Sequence, residues 1–269
     1  MKTILITGAA GGVATFLRRE LKGIYALKLA DVVPVADLDE GETFVQFDIT
    51  DLDAFVAAAA GCDGIVHLGG ASDERAWDEI LSANIVGCRN AYEAARLAGV
   101  KRVIFASSNH AVGFYRRDRK IGVDVTPRPD TRYGASKAFG ESMGALYADK
   151  YGLEVTAIRI GNVDVRPADV RRLAIWVSPR DIAQLVRIGL DRPDIRFEIV
   201  YGVSGNTRTF WDNANAKRLG YKPADNSEDW AAEILANGER DTDNDLAETH
   251  QGGTFTYIED RGGRVPDLS

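Results

Sequence analysis

Residues 3–14 read TILITGAAGGVA. Five aliphatic and β-branched residues come first, the mark of a short buried strand. Glycines follow at once, and residues 12–22 then carry helix formers with apolar spacing near 3.6. Strand, glycine turn and helix in that order are the context in which Gly8-x-x-Gly11-x-x-Ala14 reads as a dinucleotide fingerprint. Glycines let the backbone approach a pyrophosphate, and the helix N-terminus adds unpaired N–H groups and the positive end of its dipole. Gly8, Gly11, Gly12 and Val13 are therefore expected to hold a dinucleotide. Ala14 replaces a glycine often used for tight helix–strand packing, and a methyl group there is tolerable.

Outward from this loop, apolar runs recur at 25–31, 44–48, 64–68, 102–107, 154–160 and 196–201. Helical patterns separate them at 51–60, 75–98, 131–151 and 179–191, and DLDAFVAAAAG (51–61) opens on an aspartate cap. Alternation of this kind predicts an α/β fold: a Rossmann-type, doubly wound parallel sheet of about seven strands with helices on both faces. After residue 160 the alternation weakens. The expected division is a dinucleotide-binding Rossmann domain over 1–160 and a small substrate lobe over 161–269, packed on it as one compact unit.

The second strand ends at Asp31, 20 residues after Gly11, where a carboxylate accepts hydrogen bonds from an adenosine ribose and repels a 2′-phosphate. No Arg or Lys follows, so the expected cofactor is NAD. The third strand is expected to end at Asp48-Ile49, facing the adenine. The fourth ends at Leu68-Gly69-Gly70, small enough for a cofactor to pass close to the backbone.

Tyr133-Gly-Ala-Ser-Lys137 places a phenol and an amine at i and i+4 near a helix start, on one face. A nearby ammonium favours the phenolate, and a phenolate removes a hydroxyl proton while hydride leaves for a nicotinamide. Twenty-five residues earlier the fifth strand runs into Ser107-Ser108-Asn109-His110. Ser108 is the expected hydrogen-bond partner of the reacting oxygen; Ser107 is structural or touches cofactor.

TGAAGGVA, HLGGAS, ASSNHAVG and YGASK together resemble the extended short-chain dehydrogenases/reductases. With RIGN, the arginine-rich segment 165–172, FWDN and QGGTF added, nearly the whole chain is similar to bacterial uronate dehydrogenases. That resemblance implies NAD-dependent oxidation of a free hexuronic acid, glucuronate or galacturonate, at C1 to the aldaric acid lactone. It places the carboxylate-binding arginine on Arg171, and substrate contacts on Ser72, Ser108, Asn109, His110, Tyr133, Phe255 and Asn162, the last standing where the family carries Ser. It also implies self-association through the helices at 75–98 and 131–151. Two rivals share some of these motifs: an epimerase or reductase acting on a nucleotide-linked sugar, and a non-catalytic dinucleotide-binding redox sensor. The short region after Lys137 favours a free sugar over a nucleotide-sugar, and the Tyr-x-x-x-Lys pair counts against a sensor.

Composition narrows the classes further. Against 33 Lys and Arg stand 40 Asp and Glu, a net charge of −7 that argues against nucleic acid or an anionic membrane surface as partner. Such a field also repels an acidic sugar unless cations gather locally, and Arg166, Arg171 and Arg172 crowd just after the sixth strand. A guanidinium holds a carboxylate through two parallel hydrogen bonds. Cys62 and Cys88, the only cysteines, have no redox or metal spacing, and no His/Cys/Asp/Glu cluster suggests a metal. No apolar run approaches the ~18 residues of a membrane span, and a cytoplasmic location is expected.

Overall fold

The computed structural model describes residues 1–238 and 244–259. Its strands are β1 (Thr3–Thr7), β2 (Ala26–Asp31), β3 (Glu42–Gln46), β4 (Gly64–His67), β5 (Arg102–Ser108), β6 (Glu154–Ile160), β7 (Asn162–Val163), β8 (Trp176–Val177) and β9 (Phe197–Gly202). Seven of these pair in parallel in the order β3-β2-β1-β4-β5-β6-β9. The short β7 and β8 form a separate parallel pair. The helices are α1 (Gly12–Leu21), α2 (Leu52–Ala59), α3 (Trp77–Glu79), α4 (Gly87–Ala98), α5 (Arg132–Tyr151), α6 (Arg172–Ile175), α7 (Pro179–Asp191), α8 (Ala214–Arg218), α9 (Glu228–Asn237) and α10 (Asp245–Thr249).

Alternation along the strands supplies both cores. Ile4, Ile6, Leu27 and Leu29 point to one face, where Leu17 and Leu21 of α1 and Ile182, Leu185 and Val186 of α7 cover them. Leu5, Ile65, Val103 and Phe105 point to the other, under Phe55 of α2, Tyr92 of α4 and Tyr147 of α5. Each such side chain contributes roughly 1.5–3 kcal/mol of burial. The expected seven-stranded doubly wound sheet is the one observed. Asp51 caps α2 as read from the sequence, its side chain accepting from the Ala54 N–H at 3.0 Å.

Two elements differ from expectation. The third strand ends at Gln46, so Asp48 lies in the following turn, where its Oδ1 accepts from the Thr50 N–H and hydroxyl at 2.9 and 2.8 Å. The helix expected over 75–98 is interrupted: between α3 and α4 the turns of Ile80–Val86 widen to π-helix. Asn84, buried in that stretch, explains the widening. It accepts from the Ala71 N–H at 2.7 Å and donates to the Ala71 carbonyl and the Ser136 hydroxyl at 3.0 Å each. Those tertiary bonds offset the poorer π geometry.

α7 and β9, from the stretch beyond residue 160, complete the main sheet and its layers, so the two stretches share one core. What rises above the carboxyl edge is a smaller cluster around Tyr115, Ile121, Ile175 and Trp211, in which Tyr201 and Trp211 stack at 4.8 Å. Leu173, Ala231 and Ile234 form a second, smaller cluster there. Residues 239–243 and 260–269 of the expected lobe lie outside the described residues. Among those described, no helix is long and apolar enough to cross a membrane.

Candidate active site

Order reverses between β1 and β4: the chain leaves β1 for one face of the sheet and leaves β4 for the other. A crevice opens outside the strands' carboxyl ends at that point. There the structure has a cleft of about 720 Å³, lined by every site residue singled out from the sequence, from Gly8 to Phe255, except Arg166. A volume of that order suits a cofactor-sized ligand with a small partner.

One half of the cleft is the glycine loop. Gly8 has φ +71, and a Cβ there would stand 2.7 Å from the Gly69 nitrogen, so the loop and the β4 end touch backbone to backbone. Gly11 opens α1 without a side-chain cap, and no acidic residue occupies the first turn. A Cβ on Gly12 would meet nothing within 4 Å. The helix end therefore presents free N–H groups to an open space beside Val13, a cradle that fits a pyrophosphate. Ala14 is fully buried under the sheet, the packing role its methyl group was expected to tolerate. Asp31 holds the loop: Oδ2 accepts from the Ala10 N–H at 3.0 Å and Oδ1 from the Val33 N–H at 3.1 Å. Asp48, Ile49, Leu68, Gly69 and Gly70 line the same half, with Ile49 packed against Gly69.

The other half carries the reactive groups. Thr131 caps α5 through the Gly134 N–H at 3.0 Å, and the buried Glu74 takes the Tyr133 N–H at 2.9 Å. Those bonds fix the first turn, from which Tyr133 and Lys137 both enter the cleft. The Lys137 ammonium lies 5.4 Å from the centre of the Tyr133 ring and 5.3 Å from that of Phe105. Burial pushes the Lys137 amine down to about 8, with the Cys88 thiol pulling weakly the other way. Burial pushes the Tyr133 phenol up to about 12, while a hydrogen bond with Ser108 holds it down. The sequence led us to expect that Lys137 dominates the phenol. In the structure burial dominates both groups, because each gives up its water on entering the cleft.

Ser108 also accepts from the His110 N–H at 3.2 Å, and Ser107, which lines the cleft as well, donates to Glu141 at 2.6 Å. Asn109 is buried beside them, and among the described residues its amide nitrogen has no hydrogen-bond partner. His110 bonds Asp130 at 2.7 Å through Nδ1 and stacks on Phe255 with 3.9 Å between ring centres. Ser72, Asn162 of β7, Arg171 and Arg172 complete the wall. Arg171 is held by the Gln251 carbonyl, which accepts from Nη2 at 2.9 Å and from Nε at 3.2 Å. Arg172 pairs with Asp169. Arg166 pairs with Glu233 at the surface and lies outside the cleft, which resolves the three-arginine cluster.

Sequence reasoning missed Glu74, Asp130 and Gln251. Gln251 is fully buried: its amide accepts from the Trp211 indole at 2.8 Å and donates to the Arg116 and Arg119 carbonyls. Glu74 also pairs with Arg132, which reaches Glu259 at 2.9 Å. Glu74 and Asp130 sit at no motif position, and Gln251 opens QGGTF, which was read only for the family resemblance; all three roles arise only when distant segments meet. The one available signal is Asp130-Thr131 directly before α5, a pair that marks a helix start and carries no sign of the aspartate's contact with His110.

The profile of the NAD dependent epimerase/dehydratase family matches residues 4–165. A uronate dehydrogenase of Pseudomonas putida is 45% identical over 255 residues, covering 94% of each chain. A crystal structure of glucuronic acid dehydrogenase from Chromohalobacter salexigens superposes with a TM-score of 0.91 at 41% identity, over 95% of this chain and 96% of that one. A mutant uronate dehydrogenase from Agrobacterium tumefaciens, solved in complex with NAD, also gives 0.91 at 41% identity, over 95% and 97%.

Proposed function

The chain belongs to the NAD-dependent epimerase/dehydratase family, among its uronate dehydrogenases, and from that premise we propose that it oxidises free glucuronate or galacturonate at C1 to the aldaric acid lactone. It is an NAD-dependent oxidoreductase acting on a CH–OH group. The observation that carries the finer reading is the meeting, in one cleft, of the glycine loop, the Ser108–Tyr133–Lys137 group and a buried guanidinium. Gly8, Gly11, Gly12 and Val13 would hold the pyrophosphate of NAD, Asp31 its ribose, and Asp48, Ile49, Leu68, Gly69 and Gly70 its adenosine side. When bound, NAD supplies the hydride acceptor.

The chain's own groups do the rest. Tyr133 takes the proton of the C1 hydroxyl, its phenolate favoured against burial by the Ser108 hydrogen bond and by the charge of Lys137, and Ser108 holds the sugar oxygen through the reaction. Lys137 brings positive charge to the phenol and to the cofactor. Arg171 and the Asn109 amide face an acidic sugar, with Ser72, His110, Asn162 and Phe255 around it. A guanidinium in this wall also answers the charge problem, since it restores local attraction in an anionic protein. Exposed Trp77 and Leu81 on the interrupted 77–98 stretch and Leu146 and Tyr151 on α5 support self-association, which light scattering would reveal as a mass above 29.3 kDa. A cytoplasmic setting completes the reading.

Following NADH absorbance with purified protein tests it. Turnover is expected with free glucuronate or galacturonate and none with UDP-linked sugars; the reverse pattern overturns the assignment in favour of a nucleotide-sugar enzyme. Wild type that binds NAD but turns over no sugar revives the sensor.

A further inference from the structure

One buried acid behind the cleft wall has no part in the chemistry above. Asp130 precedes α5, and its side chain is wholly covered. Oδ2 lies 2.7 Å from His110 Nδ1, and Oδ1 accepts from the Thr131 hydroxyl at 3.0 Å. Three segments make room for this carboxylate by omitting side chains: a Cβ on Gly113 or Gly252 would collide with Oδ2, and one on Gly134 would stand 3.0 Å from Oδ1. The imidazole is fixed from two further sides, stacked on Phe255 and edge-on to Tyr133 at 5.8 Å. Among the described residues nothing bonds its Nε2, while the ring lines the cleft.

We propose that Asp130 is a positioning residue that keeps the proton of a neutral His110 on Nδ1, so that Nε2 faces the substrate as a hydrogen-bond acceptor for a sugar hydroxyl. A carboxylate only accepts, so Nδ1 must donate. In a neutral ring the other nitrogen is then an acceptor, and the tautomer is set from behind. The same arrangement places a fixed negative charge behind the imidazole. That charge welcomes a hydroxyl donor at Nε2 and disfavours a carboxylate there. The identity of the hydroxyl rests on the uronate reading; the tautomer does not.

The chain has three histidines, so long-range ¹H–¹⁵N spectra of histidine-labelled protein at pH 8 resolve each ring, with His110→Ala assigning its signals. Wild type is expected to show His110 protonated on Nδ1 alone. Asp130→Asn, near-identical in shape, is expected to move that proton to Nε2 and to raise the KM for uronate tenfold or more, with the KM for NAD within twofold. In a His110→Ala background the same substitution is expected to change neither KM. A wild-type ring protonated on Nε2 overturns the proposal, as does an equal KM penalty for Asp130→Asn with and without His110. Should Asp130→Asn fail to fold, the wild-type spectrum alone decides. An Nδ1–H ring in a protein inactive on uronates would sink the substrate reading and leave the positioning role standing.

Discussion

At the level of single residues, Tyr133 and Lys137 set the terms. Tyr133→Phe keeps the ring and loses the base, so kcat is expected to fall about 10²–10⁴-fold with the NAD dissociation constant within twofold, read from NADH absorbance and fluorescence titration. Arg171→Ala is expected to raise the KM for uronates far more than that for any neutral aldose; equal losses on both would remove Arg171 from the carboxylate. Lys137 also carries a stability cost. Its amine falls from an ordinary 10.5 to about 8 on burial, so between those values the unfolded chain binds more protons than the folded one, and stability rises with pH. Below about 8 the folded chain keeps a desolvated charge that costs about 3 kcal/mol. Lys137→Met is therefore expected to abolish turnover yet raise the melting temperature by several degrees at pH 7, with the gain vanishing towards pH 10.5. Both residues were legible in the sequence, because i, i+4 spacing on a helix fixes a shared face. The balance of forces between them was not, since burial depends on Phe105 and Cys88, which belong to other elements.

Elements were legible wherever local pattern decided them. β1, the glycine loop and α1 follow from residues 3–22, and the aspartate cap on α2 from a single tetrapeptide. The π-helical stretch was not readable, because nothing between Ile80 and Val86 forbids an ordinary helix; the cause is Asn84 reaching Ala71 and Ser136. Asn84→Ala removes three hydrogen bonds and leaves buried partners unpaired, a loss of about 2–4 kcal/mol that chemical denaturation would measure. Activity is expected to suffer too, since Ser136 lies between Tyr133 and Lys137. At the loop, Gly8→Ala forces a methyl group at φ +71 towards Gly69. NAD affinity is expected to drop tenfold or more, by titration of NADH fluorescence, along with thermal stability.

For the molecule as a whole, the parallel sheet determines both where the site lies and how pH acts on the fold. His67 at the end of β4 is wholly buried between Phe55 and Phe105, its Nδ1 2.8 Å from the Thr7 hydroxyl. Burial, with a smaller push from Lys137, drops its pKa from 6.5 to about 3. Below 6.5 the unfolded chain takes up a proton that the folded chain refuses until about 3, so stability is full above that window and is lost as pH falls through it. His67→Gln keeps an amide for Thr7 without the titration, and denaturant midpoints at pH 7 and 5 are expected to differ less than in wild type.

The stacking of Phe255 on His110 joins segments far apart in the chain. On a translating ribosome β1 to β6 have all emerged, and most of the sheet is free to pair, long before Phe255 is added. Long-range closures of this kind are slow relative to local ones. In refolding, regained ellipticity is accordingly expected to run ahead of regained dehydrogenase activity, and the interval between the two curves measures how late the catalytic wall is sealed.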